Sequence, residues 1–511
     1  MISGIVLSAF SLAVAQPADA PVVDEFAFSG CMRESEGPTG TVERWNLIDA
    51  GNFDHPDQLA AALREMPEGK RAIIAGGDFT RADMRSLAPM LEGACFNGTD
   101  LTGTNWNGTS VPDLKLERVS LREATVRGAR WPRLEARGVA IEGADFSGAD
   151  LAAMRYLSHF QGASFRDVSF EGANLTDASI ACGITVDVWC IDATPALRDA
   201  VLKGADLSGL GLWDEAANDS MVLDNTIVAP RSLASLAGAR FDGPLRLATY
   251  YASPYGGDQE RPQIATISAD EAQALIAATR EAGAEDDSAS FDCARASTRI
   301  ENLICGEYEY ELRALDRELS RVWRLVQYAG TNSLTEQRRW LRSRIDCEDR
   351  TCLAEKYEAR IAILLGSLGP GIVLAPDQSI TYFSDVLPLP EEMREGDLYQ
   401  RILPVLRDAS YQQITLTGRE DGSIEAQGGA VGANAHLCDL EVPEARFDPA
   451  TGWWSAQDAE TGVLVPIFRV DGRRIVLRYS GNLGNTPPEA QDFMSCGARA
   501  GFDDGIDLAP R

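Results

Sequence analysis

The sequence predicts a multidomain chain: a β-solenoid, a small disulfide-linked α-helical bundle and a C-terminal antiparallel β module. Three observations predict this. An apolar residue recurs every five positions through much of the first half. Helical stripes then follow inside a frame of four cysteines. From about residue 370, alternating strands are separated by Gly-rich turns. The length of 511 residues fits three or four domains at roughly 150 residues each.

The N-terminus is taken first. Ile5 to Ala15 is an apolar run of h-region length, and Ala13-Val14-Ala15 fits a small-x-small cleavage site. Residues 1–15 are therefore expected to be a signal peptide, with Gln16 as the mature terminus. Ala18-Asp19-Ala20 is a second candidate, but it would leave Pro21 after the cut. The n-region, Met1 to Gly4, carries no Lys or Arg. The run is too short to span a bilayer, which needs about 20 apolar residues, and no later segment reaches that length. Ten cysteines, an even number, agree with export: Cys31, Cys95, Cys182, Cys190, Cys293, Cys305, Cys347, Cys352, Cys438 and Cys496. In an oxidising compartment such a set reads as disulfides. The expected location is periplasmic or secreted.

Residues 16–76 precede the repeat and are assigned as its N-terminal cap, because a solenoid end exposes unpaired backbone. Asp57 to Met66 reads as a helix with Leu59, Ala62 and Leu63 on one face. Cys31 could pair with Cys95, stapling the cap to the first coil. Cys182 and Cys190 would close a loop where the main repeat ends.

The solenoid is assigned to residues 77–243. From Phe96 the apolar positions are Leu101, Trp106, Val111, Leu116, Leu121, Val126, Trp131, Ala136, Ile141, Phe146, Leu151 and Tyr156. One residue is then dropped, and the frame resumes at Phe160, Phe165, Phe170, Leu175 and Ile180. Phe79 and Met84 lie before this run; Leu207, Leu212 and Phe241 lie after it. Small residues such as Ala124, Ala129, Ala144 and Ala149 stand two positions before a centre. A period of five fits neither a helix nor a flat strand. It fits a coil that turns a corner after each unit, with both positions inward. The pattern A-(D/N)-(L/F), as in Ala149-Asp150-Leu151 and Ala173-Asn174-Leu175, resembles the pentapeptide-repeat family. That resemblance implies a right-handed quadrilateral β-helix with four pentapeptides to a coil.

Some members of that family mimic DNA, which needs a strongly acidic surface. The whole chain has 47 basic and 77 acidic residues, a net of −30. Residues 77–181, however, hold 14 acidic and 11 basic residues. A net of −3 is too balanced for a phosphate mimic. The overall sign also argues against a nucleic-acid partner, which would need a basic face.

Residues 244–290 read as a helix, opened by a Ser268/Glu271 capping box, and an acidic linker. Residues 291–366 have a different texture. Thr298 and Glu301, then Ser333 and Glu336, make further capping boxes. Leu312, Leu315, Leu319, Val322 and Val326 form one helical stripe; Leu353, Tyr357, Ile361 and Leu364 form another. The segments Phe291-Asp292-Cys293-Ala294-Arg295-Ala296 and Ile300-Glu301-Asn302-Leu303-Ile304-Cys305 resemble the LprI-like lysozyme-inhibitor domain. Leu315-Asp316-Arg317-Glu318-Leu319, Gln337-Arg338-Arg339-Trp340-Leu341, Asp346-Cys347, Cys352-Leu353 and Tyr357-Glu358-Ala359-Arg360 extend the likeness. It implies an exported bacterial protein and, more weakly, lysozyme inhibition.

Four cysteines allow three connectivities. Cys305 begins a helix and Cys347 ends its antiparallel neighbour, which favours Cys305 with Cys347 and Cys293 with Cys352. The alternative pairs neighbours in sequence. Glu301, Asp316 and Glu318 stand beside Arg317, Arg339 and Arg344. Their expected role is a mixed, solvated face of ion pairs rather than acid–base chemistry.

Residues 370–511 are assigned to the β module. Ile414 to Thr417, Ser423 to Ala426 and His436 to Leu440 read as strands. Val463 to Val470 and Arg474 to Tyr479 form a hairpin around Asp471-Gly472. Met393 to Leu406 reads as a helix. Cys438 and Cys496 should tie the two ends of the sheet. Gly432 to Cys438 and Cys496 to Ala500 resemble a β module that follows LprI-like domains. The second bridge of that module is absent here, with Val465 and Asp492 near where its cysteines would stand. His436 and Arg499 could meet near the disulfide, as a surface His and an Arg pinning a turn.

The three histidines, His55, His159 and His436, are far apart in sequence. No metal site, cofactor, nucleotide loop or catalytic constellation is expected, so the chain reads as non-enzymatic. The expected function is an exported cell-envelope protein that binds a protein partner, a basic lysozyme-like hydrolase being one candidate. The alternative is a structural or scaffolding solenoid of the envelope. An aromatic ladder exposed on the solenoid would favour glycan or partner binding there; internal Trp106 and Trp131 would be core.

Overall fold

The computed structural model describes residues 45–158, 164–182, 194–249, 263–285, 288–306, 309–330, 333–384, 386–410, 412–431, 437–471, 474–481, 486–497, 501–502 and 505–508. The expected signal peptide lies outside them, as do Cys31, Cys190, His159, Phe160, His436 and Arg499.

The five-residue period is a corner period. From residue 98 to residue 153, every fifth residue has a left-handed backbone, with φ between 54° and 70°. Gly103 is one such corner and Arg133 another. A Cβ costs about 1–2 kcal/mol in that region, which is why glycine recurs two positions after the apolar centres. Where an Asp or Asn stands before a centre, it serves the same corner. Asp100 Oδ1 accepts from the Thr102 amide at 2.9 Å, and Asp145 Oδ1 accepts from the Ser147 amide at 3.0 Å.

Each corner starts a short run of parallel pairing with the next coil. Asp100, Ser120 and Ala140 bridge in one column, and Asn105, Thr125 and Asp145 in the next. Ser110 bridges Arg130, which falls in register with Asp150. A fourth column holds β3 (Cys95–Asn97), β4 (Lys115–Glu117), β5 (Glu135–Arg137) and β6 (Arg155–Ser158), paired in parallel. These strands begin 20 residues apart, which is four units of five.

That column extends both ways. Upstream, β1 (Trp45–Asp49) pairs in parallel with β2 (Arg71–Ala75), and β2 with β3. Between them α1 (Pro56–Arg64) buries Leu59, Ala60 and Leu63. His55 caps it reciprocally with Gln58. The expected cap segment is thus joined to the solenoid by its own strands. Downstream the column continues with β7 (Ser179–Cys182), β8 (Asp206–Gly209), β10 (Thr226–Val228) and β12 (Leu245–Ala248); β9 (Val222–Leu223) and β11 (Arg240–Phe241) pair separately. The solenoid makes about eight turns.

One expectation about register changes. Tyr156 pairs directly with Ile180, 24 residues on. This coil holds four more residues than its predecessors, so the apparent loss of one residue is an insertion of four. The stacked column keeps its pairing across the insertion.

The interior is filled as the period requires. Phe96, Leu101, Trp106, Val111, Val126, Trp131, Leu151, Phe165, Phe170 and Leu175 are buried, and so are Ala94, Ala124, Ala129, Ala144 and Ala149. Trp106 and Trp131 meet edge to face, with centroids 5.2 Å apart. Phe146 and Phe170 stack at 5.2 Å.

The far end of the solenoid is closed by segments from two places. β13 (Ile264–Ile267) turns antiparallel to β12, and α2 (Ala269–Glu285) follows. The Ser268/Glu271 capping box is present, with bonds of 2.8 and 3.2 Å. The helix expected at 393–406 is two: α7 (Glu391–Arg394) and α8 (Asp397–Ala409). Phe383, Tyr399, Ile402, Val405 and Leu406 share one core with Leu233, Leu245 and Leu247 of the solenoid. Arg401 pairs with Glu271, and Arg231 donates to the Ala409 carbonyl at 2.8 Å. The amphipathic stripe of α8 therefore covers the open end of the coil stack.

Between α2 and α7 the chain forms α3 (Arg299–Ile304), α4 (Tyr310–Ala329), α5 (Leu334–Ser343) and α6 (Arg350–Gly366). Ile300, Leu312, Leu319, Val322, Val326, Leu353, Tyr357, Ile361 and Leu364 form their common core. The C-terminal sheet is an antiparallel half-barrel. Its strands are β14 (Ser379–Phe383), β15 (Gln412–Gly418), β16 (Ile424–Val431), β17 (Leu437–Asp448), β18 (Trp453–Gln457), β19 (Leu464–Asp471), β20 (Arg474–Leu477), β21 (Met494–Cys496) and β22 (Ile506–Leu508). β19 and β20 form the expected hairpin, with Asp471 opposite Arg474.

Candidate functional site

The solenoid faces carry little net charge and no aromatic ladder among the described residues. Trp106 and Trp131 are wholly internal, and their indole N–H groups donate to Thr104 at 2.8 Å and Thr109 at 3.1 Å. They are core. Arg122 pairs with Glu142, Arg133 with Asp113, and Lys115 with Glu135, each joining one coil to the next. Among the described residues this alternation leaves no continuous acidic face of the kind DNA mimicry demands.

The helical unit corrects two expectations. The first concerns its disulfides. Cys293 is bonded to Cys305 and Cys347 to Cys352, with Cα separations of 5.6 and 5.4 Å. The favoured cross-links, Cys305 to Cys347 and Cys293 to Cys352, are not formed. Cys293 sits in a 3-10 turn before α3 and Cys305 is the C-cap of that helix, so this bridge closes across one short helix. Cys347 ends a second 3-10 turn, and Cys352 lies in the first turn of α6. Both staples are local, and the helices are held together by their apolar core. Cys438 and Cys496 are bonded directly across β17 and β21, as expected. Cys95 is disulfide-bonded and buried; Cys31, its expected partner, lies outside the described residues. Cys182 closes β7, while Cys190 is also outside them.

The second correction concerns the carboxylates. Asp316 and Glu318 do not lie on a solvated face. Asp316 is buried and accepts from the Tyr357 hydroxyl at 2.7 Å and the Ser290 amide at 2.9 Å. Burial and the Asp316 carboxylate push the Tyr357 hydroxyl well above its ordinary value. Arg344 packs over the Trp340 and Tyr357 rings, and Arg360 donates to Gln337 at 2.9 Å. Many of the residues carrying the resemblance in this unit thus form an internal polar network that fixes how α4, α5 and α6 pack. Glu301 works in the α3 capping box, as expected.

Glu318 points into a cleft of about 1390 Å³ between α4, α6 and the β18–β20 strands. Arg321 grips the Glu318 carboxylate with two nitrogens, the closest at 2.8 Å. Arg469 from β19 reaches it at 3.5 Å and Arg474 from β20 at 3.9 Å. Burial works to raise the Glu318 pKa, but Arg321, Arg469 and Arg474 outweigh it and hold the carboxyl below its usual range. Arg469 and Arg478 pack over the Trp453 ring, at 4.9 and 5.7 Å from its centroid. The cleft wall holds six arginines against four glutamates.

Sequence reasoning considered Glu318 and Arg317 but missed Trp453 and the Arg469/Arg474/Arg478 set. The hairpin did show arginines crowding a turn. Nothing in one dimension showed that α4 would face it.

These features define a β-solenoid of five-residue units joined to a disulfide-bearing helical unit and a β half-barrel. A family model described as pentapeptide repeats (8 copies) matches residues 158–181. No curated protein matches the chain. Among solved structures, the chain is similar to trypsin-treated QnrB1, a plasmid-mediated fluoroquinolone resistance protein, at 19% identity and a TM-score of 0.18, covering 38% of this chain and 86% of that one. It is similar to Rfr23, a pentapeptide-repeat protein from the cyanobacterium Cyanothece 51142, at 15% identity and a TM-score of 0.14, covering 26% and 78%. HetL, a pentapeptide-repeat protein involved in heterocyst differentiation regulation in Nostoc sp. strain PCC 7120, matches at 23% identity and a TM-score of 0.11, covering 33% and 64%. No described helix is long and apolar enough to cross a membrane.

Proposed function

We propose that the chain is an exported, non-enzymatic cell-envelope protein. In this reading a right-handed, four-sided solenoid is a rigid stem. The LprI-like helical unit and the β module form a binding head for a protein partner. The observation that carries it is the arginine-lined cleft where helical unit and half-barrel meet, set beside a solenoid whose interior is fully packed. Export is supported by the disulfide-bonded state of Cys95, Cys293, Cys305, Cys347, Cys352, Cys438 and Cys496. The signal peptide at 1–15 and the periplasmic or secreted location belong to the same proposal. So do the divisions at 76, 243, 290 and 366.

The partner proposed from the helical unit is a lysozyme-like cell-wall hydrolase. Lysozymes are basic, and a net charge of −30 would steer one toward the acidic parts of this chain. The test is a titration of the mature, oxidised protein against a panel of lysozymes, following lysis of cell walls. A dose-dependent loss of lysis at micromolar protein supports inhibition. Full activity at micromolar excess removes it and leaves the scaffolding role, which the charge-balanced, ion-paired solenoid faces favour.

A further inference from the structure

We infer that the outward face of α5, with the turn that follows it, is a docking site for an acidic amphipathic helix of a partner protein. The inference goes beyond the hydrolase reading, since this face would repel a basic lysozyme.

A surface helix ordinarily turns its apolar residues toward the core. α5 turns a second set to solvent. Leu334, Leu341 and Ile345 are 56%, 39% and 64% exposed. With Arg338 they stand at steps of four, three and four residues. Leu334, Arg338 and Leu341 therefore share one side of the helix, and Ile345 continues it in the 3-10 turn Arg344–Asp346. Apolar residues scattered singly over a surface need no explanation, whereas a contiguous set marks a contact.

The inner face fixes the direction of this stripe. Gln337 is buried and accepts from Arg360 at 2.9 Å. Trp340 meets Tyr357 edge to face at 5.2 Å, and Lys356 donates to the Ser343 carbonyl at 2.5 Å. The turn that carries Ile345 is held as well. Arg299 donates to the Ile345 carbonyl at 2.7 Å, and the Cys347–Cys352 bridge follows directly. A bridge over so short a loop adds little by loop closure, but it does pin this turn.

Charge complementarity names the occupant. Arg338, Arg339 and Arg342 are exposed, and none has an ion-pair or hydrogen-bond partner among the described residues. Arg338 lies within the stripe and Arg342 beside it. A carboxylate on a facing helix is the group that meets an arginine in such a seam. At physiological salt the screening length is about 8 Å, so a partner at α5 meets these arginines rather than the charge of the whole chain. The seven residues from Leu334 to Leu341 rise about 10.5 Å, the heptad repeat of a second helix. A second copy of this chain is the wrong occupant, because it would bring the same arginines against each other.

The probe is a fluorescent three-heptad peptide with Leu at a and d, Glu at e and g and Ala elsewhere, titrated into the full, oxidised protein by anisotropy. Saturable binding that weakens with salt is expected. R338E/R342E alters two exposed, unpaired side chains and should weaken binding at least about tenfold, with the fold checked by circular dichroism. The same variant should then prefer the peptide with Lys in place of Glu. L334S/L341S should also lose about tenfold, which separates an apolar seam from charge attraction alone. Absence of saturation, or unchanged binding by either variant, overturns the inference. So does cosedimentation with phosphatidylcholine–phosphatidylglycerol vesicles that R338E/R342E abolishes, which assigns the face to a membrane. A dimer in sedimentation velocity that L334S/L341S dissociates overturns it too, by assigning the face to a second copy.

Discussion

The disulfide connectivity yields a quantitative expectation. The perturbation is removal of each bridge by a double Cys→Ala substitution. The bridges close sequence separations of 12 (Cys293–Cys305), 5 (Cys347–Cys352) and 58 (Cys438–Cys496). Loop-closure entropy assigns them about 2.8, 2.1 and 4.2 kcal/mol respectively at 25 °C. The rejected pairs, Cys305 with Cys347 and Cys293 with Cys352, would close about 42 and 59 residues and be worth about 4 kcal/mol each. The two arrangements therefore differ in rank as well as in topology. With the observed pairing, C347A/C352A is the mildest variant and C438A/C496A the most severe. The assay is urea unfolding of each variant, followed by far-ultraviolet dichroism and tryptophan emission. Proteolytic mapping without reduction gives the pairing directly. A fragment joining Cys305 to Cys347, or equal losses near 4 kcal/mol for the two helical-unit variants, would refute the reasoning.

Two further outcomes test the stem and the helical unit. Trp131→Ala should cost about 4–6 kcal/mol of solenoid stability, from the loss of a large buried ring and of its edge-to-face contact with Trp106. A change below about 1 kcal/mol in the urea midpoint would mean that the ring is not core. For Glu301, the amides of Ser297 and Thr298 hold the carboxyl down to about 2, below its unfolded value. Its stabilising contribution is then complete above the unfolded carboxylate range and is lost as pH falls toward about 2. The melting-temperature gap between wild type and Glu301→Gln should close across that window, and a gap that stays constant contradicts the capping role.

How much of this was legible in the sequence follows from the range of the interactions. The five-residue period was readable because each corner, with its left-handed residue and its Asx turn, is built from neighbours in the chain. The Ser268/Glu271 and Thr298/Glu301 capping boxes were readable for the same reason. His55 was not seen as a cap, because histidine is rare in that role. The four residues inserted between Tyr156 and Ile180 were read as one dropped residue, since an insertion shifts the phase of the repeat without showing its length. The disulfides were misjudged because the helices were expected to need cross-links, whereas Leu312, Leu319, Val322, Leu353 and Ile361 already join them. The cleft was invisible for a further reason: Glu318 and Arg469 are 151 residues apart and meet only once both units have folded.

The distribution of charge now separates two kinds of contact. Residues 77–181 of the solenoid at −3 and the helical unit (residues 291–366) at 0 are close to neutral, so most of the −30 lies in other segments. The cleft runs against that average, with arginine in excess on its walls. A basic partner steered by the acidic segments would be repelled by the arginine-rich cleft wall, so the two regions select partners of opposite charge. The well-packed stem and the α8 contact that closes its end keep those surfaces at a fixed spacing, which gives a rigid solenoid a use even though its own faces are charge-balanced.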